Sequence, residues 1–592
     1  MTWQGTCRLI STRCPQCVWP NEQLLPRCHT LSMSQEARQS LYQCLQAEHG
    51  TIVKEAGQAR MRCVLAYPNT YFVGMSNLGL QTMYRVINQR PDTVCERVFL
   101  PAAEAWGWYE AGKTPLLSLE SQRPLGDFDV IGFSVSYEND YLHLLQMLAL
   151  AHIPLLAAER DERYPLILVG GAVTYINPEP LADFVDLMVI GDGEETIHDY
   201  LDLLHDTLGQ PRQEHLRLAV DIPGLYVPRL HDQSTAITPI PPRKITALAQ
   251  WPAYSSVLTN DTEFSGTLLV EITRGCPFKC RFCTVGYVYP KFRQLPGDLV
   301  LDLVAAQQQR DRAAGRPPVG KVGLISSATG DYRDLALVAQ GLVELGVAIG
   351  ISSLRMDRMP EVLIDCMVQS GVRSCTVAPE AGSERLRQLI RKEMTEDVIL
   401  AGTEMLLAKG MRDLKLYSMI GLPTETDEDL RELLALVGKI WELMKKYGRA
   451  RGVLGTLTLS INPFVPKPAT PLQWCAMAPP RLIKAKLHTL RQAIRHESHI
   501  LLKHENIKHD YLEAILARGD RRLRDFLLET HRQRGDWSRA ARQLGFDVEA
   551  FVCTELSQRT GLPWDFLASE RQMQRLHREH DRALALPVLA GA

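Results

Sequence analysis

The sequence predicts an α/β protein: a doubly wound α/β domain, then six strands alternating with helices, then a helical carboxyl-terminal region. Short apolar runs, bounded by glycine or small polar residues, recur from Arg62 to Pro463. Segments of helical periodicity separate them, and the strand pattern stops from Pro480 onward. The chain has 592 residues, room for roughly three or four ordinary domains. Its hydrophobic content of 45% is that of a soluble globular protein, and a net charge of −2 gives no general affinity for polyanions. No apolar stretch reaches the ~18 residues that a bilayer crossing needs, so no membrane partner is expected. Fourteen cysteines without a secreted disulfide pattern fit a reducing, cytoplasmic setting.

Residues 1–34 lack periodicity and are expected to be a disordered leader or a mis-assigned start upstream of Met33. They hold Cys14, Cys17, Cys28 and His29, which could instead bind zinc. No charged region followed by an apolar one marks a signal peptide. Residues 35–208 form the first domain, opening with a helix. Strands are expected at 63–67, 129–134, 166–171 and 186–191, short and apolar enough for a parallel sheet covered on both faces. Helices fit 141–151 and 194–208. Glycines collect at the strand ends, among them Gly74, Gly79, Gly170, Gly171, Gly191 and Gly193. Ligands bind there in doubly wound folds, and a missing Cβ lets backbone approach them; glycine serves tight turns equally well. Residues 209–262 read as a proline-rich linker with a β-like piece at 224–228.

The second run occupies 263–478, with strands expected at 268–270, 319–325, 347–352, 374–378, 414–419 and 456–463. The first of them runs into Cys276, Cys280 and Cys283. Soft thiolates on a loop point to zinc or an iron–sulfur cluster. Zinc takes four ligands, usually as two close pairs, and no further Cys or His follows before Cys366. Three ligands leave one position open for chemistry.

The stretch Cys276-x-x-x-Cys280-x-Phe282-Cys283 resembles the signature of the radical S-adenosylmethionine (radical SAM) superfamily, whose core is a partial (β/α)6 barrel. The resemblance implies a 4Fe-4S cluster on Cys276, Cys280 and Cys283, and SAM on the open iron. It implies an enzyme that reductively cleaves SAM to start radical chemistry on an unknown substrate. It also implies SAM contacts at the strand ends. Phe282 would pack near adenine, and Ser326 and Ser327 lie in the loop that faces the methionyl amine. Ser353 and Arg355 would meet ribose and carboxylate, Glu380 a ribose hydroxyl or cation, Arg385 the carboxylate, and Gly421 the adenine from below. Loop 326–331 departs from the family's Gly-Gly-Glu, so no particular acceptor is expected there. For each contact, a solvated or salt-bridged loop residue is the competing reading. An electron donor such as flavodoxin or ferredoxin is implied as a partner.

The first domain resembles the Rossmann-like cobalamin-binding domain that precedes many such barrels. Ser134, Gly170, Gly171, Gly191 and Gly193 would then surround the nucleotide tail. The family's Asp-x-His-x-x-Gly motif is missing, since residues 68–79 contain no histidine. Two outcomes stay open: cobalamin without a histidine ligand from this loop, or a domain that keeps only the fold. With cobalamin, methylation is the implied reaction. The stretch 378–387 resembles the cobalamin-associated and methylthiotransferase-like branches, and 462–474 resembles a long uncharacterised branch with the same amino-terminal domain.

Residues 479–592 are expected to be helical. Residues 481–540 carry 14 Lys or Arg against 8 Asp or Glu, with Arg518, Arg521, Arg522 and Arg524 close together. They could meet RNA phosphates or form a solvated helix face. Trp537, Phe546, Phe551 and Trp564 fit a small helical core. Two other functions stand beside the radical SAM enzyme. A methylthiotransferase-like RNA-modifying enzyme needs a second cluster, for which Cys63 and Cys95 supply no triad. A non-catalytic cobalamin or SAM sensor has no need of an open iron.

Overall fold

The computed structural model describes residues 33–54, 59–110, 114–231 and 239–586. The expected leader and its candidate zinc ligands Cys14, Cys17, Cys28 and His29 lie outside them. The apolar runs of the first domain pair in parallel as β1 (Met61–Tyr67), β2 (Thr93–Phe99), β3 (Val130–Ser134), β4 (Leu166–Gly170) and β5 (Leu187–Val189). The strand order is β2-β1-β3-β4-β5, and β6 (Leu225–Tyr226) adds an antiparallel edge. The order reverses between β1 and β3, the position where doubly wound folds open a crevice. The sequence pattern hides β2, because Glu96 and Arg97 interrupt it. Both are buried, and Arg97 is neutralised by Glu48 at 2.6 Å and Glu120 at 2.7 Å. β6 and the helix Arg212–Ala219 lie in the stretch expected to be linker; they extend the first domain past residue 208.

One face of this sheet packs the helices Leu78–Asn88 and Gly193–Thr207 through Leu80, Tyr84, Tyr200 and Leu201. The other packs Tyr141–Leu150 together with two carboxyl-terminal helices, Ile507–Arg518 and Arg524–Arg532. Leu144, Leu148, Ile515 and Phe526 thus share one core.

The second run forms a curved wall. It begins with β7 (Thr267–Glu271), followed by the short antiparallel pair β8 (Thr273–Arg274) and β9 (Arg293–Gln294). β10 (Lys321–Ile325) lies in parallel between β7 and β11 (Ala348–Ile351). A second parallel sheet runs β12 (Ser374–Glu380), β13 (Asp413–Ile420), β14 (Leu457–Pro463) and β15 (Ile500–Lys503). A bridge between Leu354 and Val377, with the Leu354 N–H donating to Thr376 O at 2.9 Å, joins the two sheets. β15 corrects the expectation that strands stop at Pro480. Only Ile500 of its four residues is buried, too weak a pattern to show in the sequence. The outward side chains, among them Val270, Val322, Leu416 and Leu459, pack on the surrounding helices. The inward ones on β13 and β14 are Lys415, Tyr417, Met419, Thr458, Ser460 and Asn462, all half-buried. A complete eight-stranded barrel fills its interior with branched apolar side chains; this wall is largely polar and accessible instead. No helix among the described residues is long and apolar enough to cross a membrane.

Candidate active site

β8 and β9 pin the two ends of the cysteine loop. Its neck closes on Gly275, at φ 88°, where a Cβ would lie 2.3 Å from Lys291 O. Beyond Cys283 the short helix Val285–Val288 folds back on Phe278. The Lys279 ammonium donates to Gly286 O, and the Tyr287 hydroxyl donates to Lys279 O at 2.9 Å. These bonds fix the loop that carries Cys276, Cys280 and Cys283, each half-buried.

Burial pushes all three thiols up, Cys283 to about 11. The surroundings oppose this at every sulfur. Cys276 is favoured by the Phe278 N–H and by its nearness to Ser327. Cys280 feels the charges of Lys392 and Arg355, and Cys283 receives the N–H groups of Val285 and Gly286. Donors and cations aimed at buried thiols favour the thiolate, which is the form that binds metal. No three His, Cys, Asp or Glu side chains among the described residues converge as ligands of a single ion. A cubane cluster gives each thiolate its own iron and asks for no convergence on a single ion.

The strand ends expected to meet SAM surround this loop. Ser326 Oγ lies 2.6 Å from Thr273 Oγ1 and accepts the Ala328 N–H at 3.0 Å, while the Ser327 hydroxyl donates to Gly275 O. Loop 326–331 is therefore fastened to the neck of the cysteine loop. Within it, Asp331 Oδ2 is buried and has no hydrogen-bond partner. Burial raises the Asp331 carboxyl above its ordinary range, against the pull of Arg358 and Arg355. Ser353 is half-buried where the two sheets meet. Arg355 donates twice to Asp357 at 3.0 Å and lies 4.0 Å over the Phe278 ring. Glu380 accepts from Lys392 at 3.0 Å and adopts φ 67°, where the register of β12 against β13 shifts. A non-glycine residue in the left-handed region at a bulge stores strain, and such positions cluster at functional sites. Phe282 packs against the cluster of Ala381, Leu386, Leu422 and Phe464.

One expected contact is engaged by the chain itself. Arg385 donates to Asp429 at 2.6 and 3.3 Å and to Thr424 Oγ1 and O at 2.9 Å. Its guanidinium fastens the amino end of the helix Asp427–Arg451, where Asp429 completes a capping box with Thr426. Gly421 adopts φ 75°, and a Cβ there would fall 2.7 Å from Ile483 Cδ1 and 2.9 Å from Ala478 Cβ.

The first-domain glycines divide in the same way. A Cβ on Gly171 would meet Val135 O at 2.3 Å, and one on Gly191 would meet Arg243 O at 2.2 Å. Their close approach admits the chain's own backbone, for Gly191 bridges to Arg243. Gly193 abuts Met83 Sδ, which a Cβ would approach to 3.3 Å. Gly170 stays open, with nothing nearer to its Cβ position than Val189 at 3.8 Å, and Ser134 is half-buried at the end of β3.

Sequence reasoning missed two residues that clasp the cysteine loop. Asp192, buried between Gly191 and Gly193, pairs with Arg274 on β8 at 3.0 Å and with Arg293 on β9 at 2.6 Å. Glu579, on the carboxyl-terminal helix Glu570–Leu584, pairs at 3.2 Å with Arg281, which lies between Cys280 and Phe282. Neither is visible locally, because each partner lies at least 82 residues away.

Of the four neighbouring arginines, Arg518 and Arg521 are committed to the fold, while Arg522 and Arg524 are exposed. Arg518 is buried, donates to Val552 O and Thr554 O at 2.6 Å, and is pushed down by burial to about 10. Arg521 pairs with Glu179, Arg522 with Asp520 and Arg524 with Asp525. Phe526, Phe546 and Phe551 stack in series at 5.4 and 5.2 Å, and Trp564 is buried, as a small core requires. Cys63 and Cys95 are direct neighbours across β1 and β2, both buried, with no third cysteine joining them among the described residues.

Comparison with known proteins gives this site a family. Residues 79–228 match the family described as radical SAM proteins, N-terminal, and residues 270–437 match the radical SAM superfamily. An uncharacterized protein of Methanocaldococcus jannaschii is 28% identical over 465 residues, 78% of this chain and 90% of that one. The tRNA-2-methylthio-N(6)-dimethylallyladenosine synthase of Thermotoga petrophila is 28% identical over 180 residues, 29% of this chain and 40% of the synthase. The radical SAM methyltransferase TsrM from Kitasatospora setae, solved with cobalamin and a [4Fe-4S] cluster, has the same fold. It superposes with a TM-score of 0.50 at 13% identity, over 89% of this chain and 100% of TsrM. The second match contains all three cysteines and β10 to β13, and the chain belongs to the radical SAM superfamily of enzymes, whose cofactors are a 4Fe-4S cluster and SAM.

Proposed function

We propose that this enzyme cleaves SAM reductively at a cluster held by Cys276, Cys280 and Cys283 and directs the radical at an unactivated carbon of a substrate lying in the barrel. The supporting observation is a loop of three half-buried thiols with the cations Lys392 and Arg355 of neighbouring segments acting on Cys280, fastened to loop 326–331, which carries a buried carboxylate oxygen without a partner. When bound, the cluster and SAM supply the reductive bond cleavage. The protein's residues bind and orient. Asp331 Oδ2 offers an acceptor for an ammonium such as that of SAM. Tyr417, Ser460 and Asn462 offer polar contacts along the inner wall. A low-potential donor such as flavodoxin or ferredoxin would provide the electron. Anaerobic incubation with SAM and dithionite is expected to release 5′-deoxyadenosine from the wild type and none from Cys280→Ala. An equal yield from the variant refutes the assignment.

A second reading, cobalamin-dependent methylation, is supported by the likeness to TsrM, whose structure holds cobalamin. On the Cβ side of Gly171 and Gly191 the chain's own backbone already lies close, so any contact from them would come from their other faces. Reconstitution with hydroxocobalamin tests this, and absence of bound cobalamin after gel filtration removes it.

A further inference from the structure

The carboxyl-terminal helix Glu570–Leu584 lies against the cysteine loop. Its buried side chains Leu576 and Glu579 meet Tyr287 and Arg281, which stand on either side of Cys283. Along its exposed side run Arg571, Arg575, Arg578 and Arg582. Steps of four, three and four residues put them on one line of the helix. The exposed acids of the helix, Glu570 and Asp581, lie roughly a quarter-turn to one side.

Like charges three and four residues apart weaken a helix, and little here relieves them. Arg582 pairs with Glu579 at 2.8 Å. The other three arginines make no ion pair among the described residues. Glu579 is itself shared, since Arg281 and Arg391 also reach it, each at 3.2 Å. The positive face continues into the cysteine loop. Arg575 stands 5.9 Å over the Tyr287 ring, and the Tyr287 hydroxyl holds Lys279, which lies between Cys276 and Cys280. In a chain of net charge −2 this is a local surplus of cations, gathered beside the three thiols. From Arg571 to Arg582 the line is ~17 Å long, within the small contact areas of electron-transfer encounters.

We propose that this arginine face docks a small acidic electron-carrier protein, which passes one electron to the cluster held by the adjacent cysteines. The carrier is oxidised by one electron and the cluster is reduced by one; no bond forms or breaks in that step. Complementary charge steers such an encounter and sets its orientation. What adjoins the face is the loop that must receive an electron, which favours a carrier over a polyanion such as RNA. The inference rests on the proposed reaction, which needs a low-potential electron delivered at this loop.

Flavodoxin and ferredoxin, both small and acidic, are the probes. Calorimetric titration of the anaerobically purified holoenzyme at low salt should show at least one of them binding, and added salt should weaken it. The triple variant Arg571→Glu, Arg575→Glu, Arg578→Glu should bind that carrier about tenfold more weakly and lose most of the salt dependence. A matched triple, Lys321→Glu, Arg373→Glu, Arg412→Glu, makes the same change in net charge with exposed residues at the opposite ends of the strands. It should bind as the wild type does. No binding of either carrier, an equal loss in both triples, or weaker binding of total tRNA with carrier binding unchanged overturns the proposal. Should the charge-reversed helix fail to fold, Arg571→Gln, Arg575→Gln, Arg578→Gln is read in its place, with a smaller loss in the same direction. Dithionite needs no docking face. Absence of 5′-deoxyadenosine with dithionite therefore refutes the reaction, whereas its release together with unweakened carrier binding refutes the face alone.

Discussion

At Asp331 a carboxylate oxygen is buried without a partner, within the fields of Arg355 and Arg358. An ammonium would satisfy it. Asp331→Asn is therefore expected to lower SAM affinity about tenfold, measured by anaerobic calorimetry. The pH dependence has a definite sign. Burial raises this carboxyl, so acidification protonates it, and weakens SAM binding, at a higher pH than an ordinary aspartate would; the asparagine variant should lose that dependence. Asp510 supplies a stability test of the same kind. Burial, then Glu513 and Glu505, push its carboxyl to about 7, and its Oδ2 has no partner. The folded state holds this proton where the unfolded chain has lost it, so stability falls as pH rises from the ordinary aspartate range to about 7. Asp510→Asn should flatten the fall, leaving the variant more stable than the wild type at pH ~8 by a few kcal/mol at most, read as the difference in Tm between acid and alkaline buffer. The cysteines were legible at this scale because their chemistry is encoded in local spacing. Arg385 was not: its partner Asp429 lies 44 residues on, and only the fold shows that the guanidinium is already committed.

The cysteine loop is an element with little secondary structure of its own, and its shape depends on what grips it. Asp192 holds both strands of its neck, and Glu579 holds Arg281 in its middle. Both carboxylates are buried; removing Asp192 leaves Arg293 without its carboxylate while Arg274 keeps Glu194 and Glu271, and removing Glu579 leaves Arg281 without one. Asp192→Ala and Glu579→Ala should each destabilise the loop locally by ~3 kcal/mol, visible as faster amide exchange over residues 275–292 with the β1 to β4 sheet unchanged. Both variants should also retain less iron after anaerobic desalting. Unaltered exchange in the loop would show that β8 and β9 suffice to hold it. The run Gly191-Asp192-Gly193 looked like a ligand loop because glycines at a strand end fit that task. Arg243, Arg274 and Arg293 lie 50 to 100 residues away, and only the packed fold turns the run into a clasp. β2 and β15 escaped for a related reason. One buries charges that are neutralised from distant segments, and the other is a four-residue edge strand with one buried side chain.

The molecule as a whole is tied together across its length. The helices after residue 506 cover one face of the first sheet, so the two ends of the chain share a core. Lys467, from the loop after β14, stands at that junction between Glu138 at 2.6 Å and Glu513 at 2.7 Å. Glu138 follows β3 in the first domain, and Glu513 lies on the helix Ile507–Arg518, so one ammonium joins three parts of the protein. Burial raises the Glu138 carboxyl, and Lys467 is the main force holding it down. Lys467→Met would leave two carboxylates facing each other without the cation. The junction is partly exposed at Lys467, so the cost should fall between that of surface and fully buried pairs, ~2 kcal/mol. Because acid protonates the released Glu138, the penalty should be largest above neutral pH and shrink toward pH ~5. Calorimetry should show a wild type in which the first domain and the carboxyl-terminal helices unfold together. The variant should show a lower first transition at alkaline pH that converges on the wild type in acid. A pH-independent loss would mean that the packing of the lysine stem, rather than its charge, joins the domains.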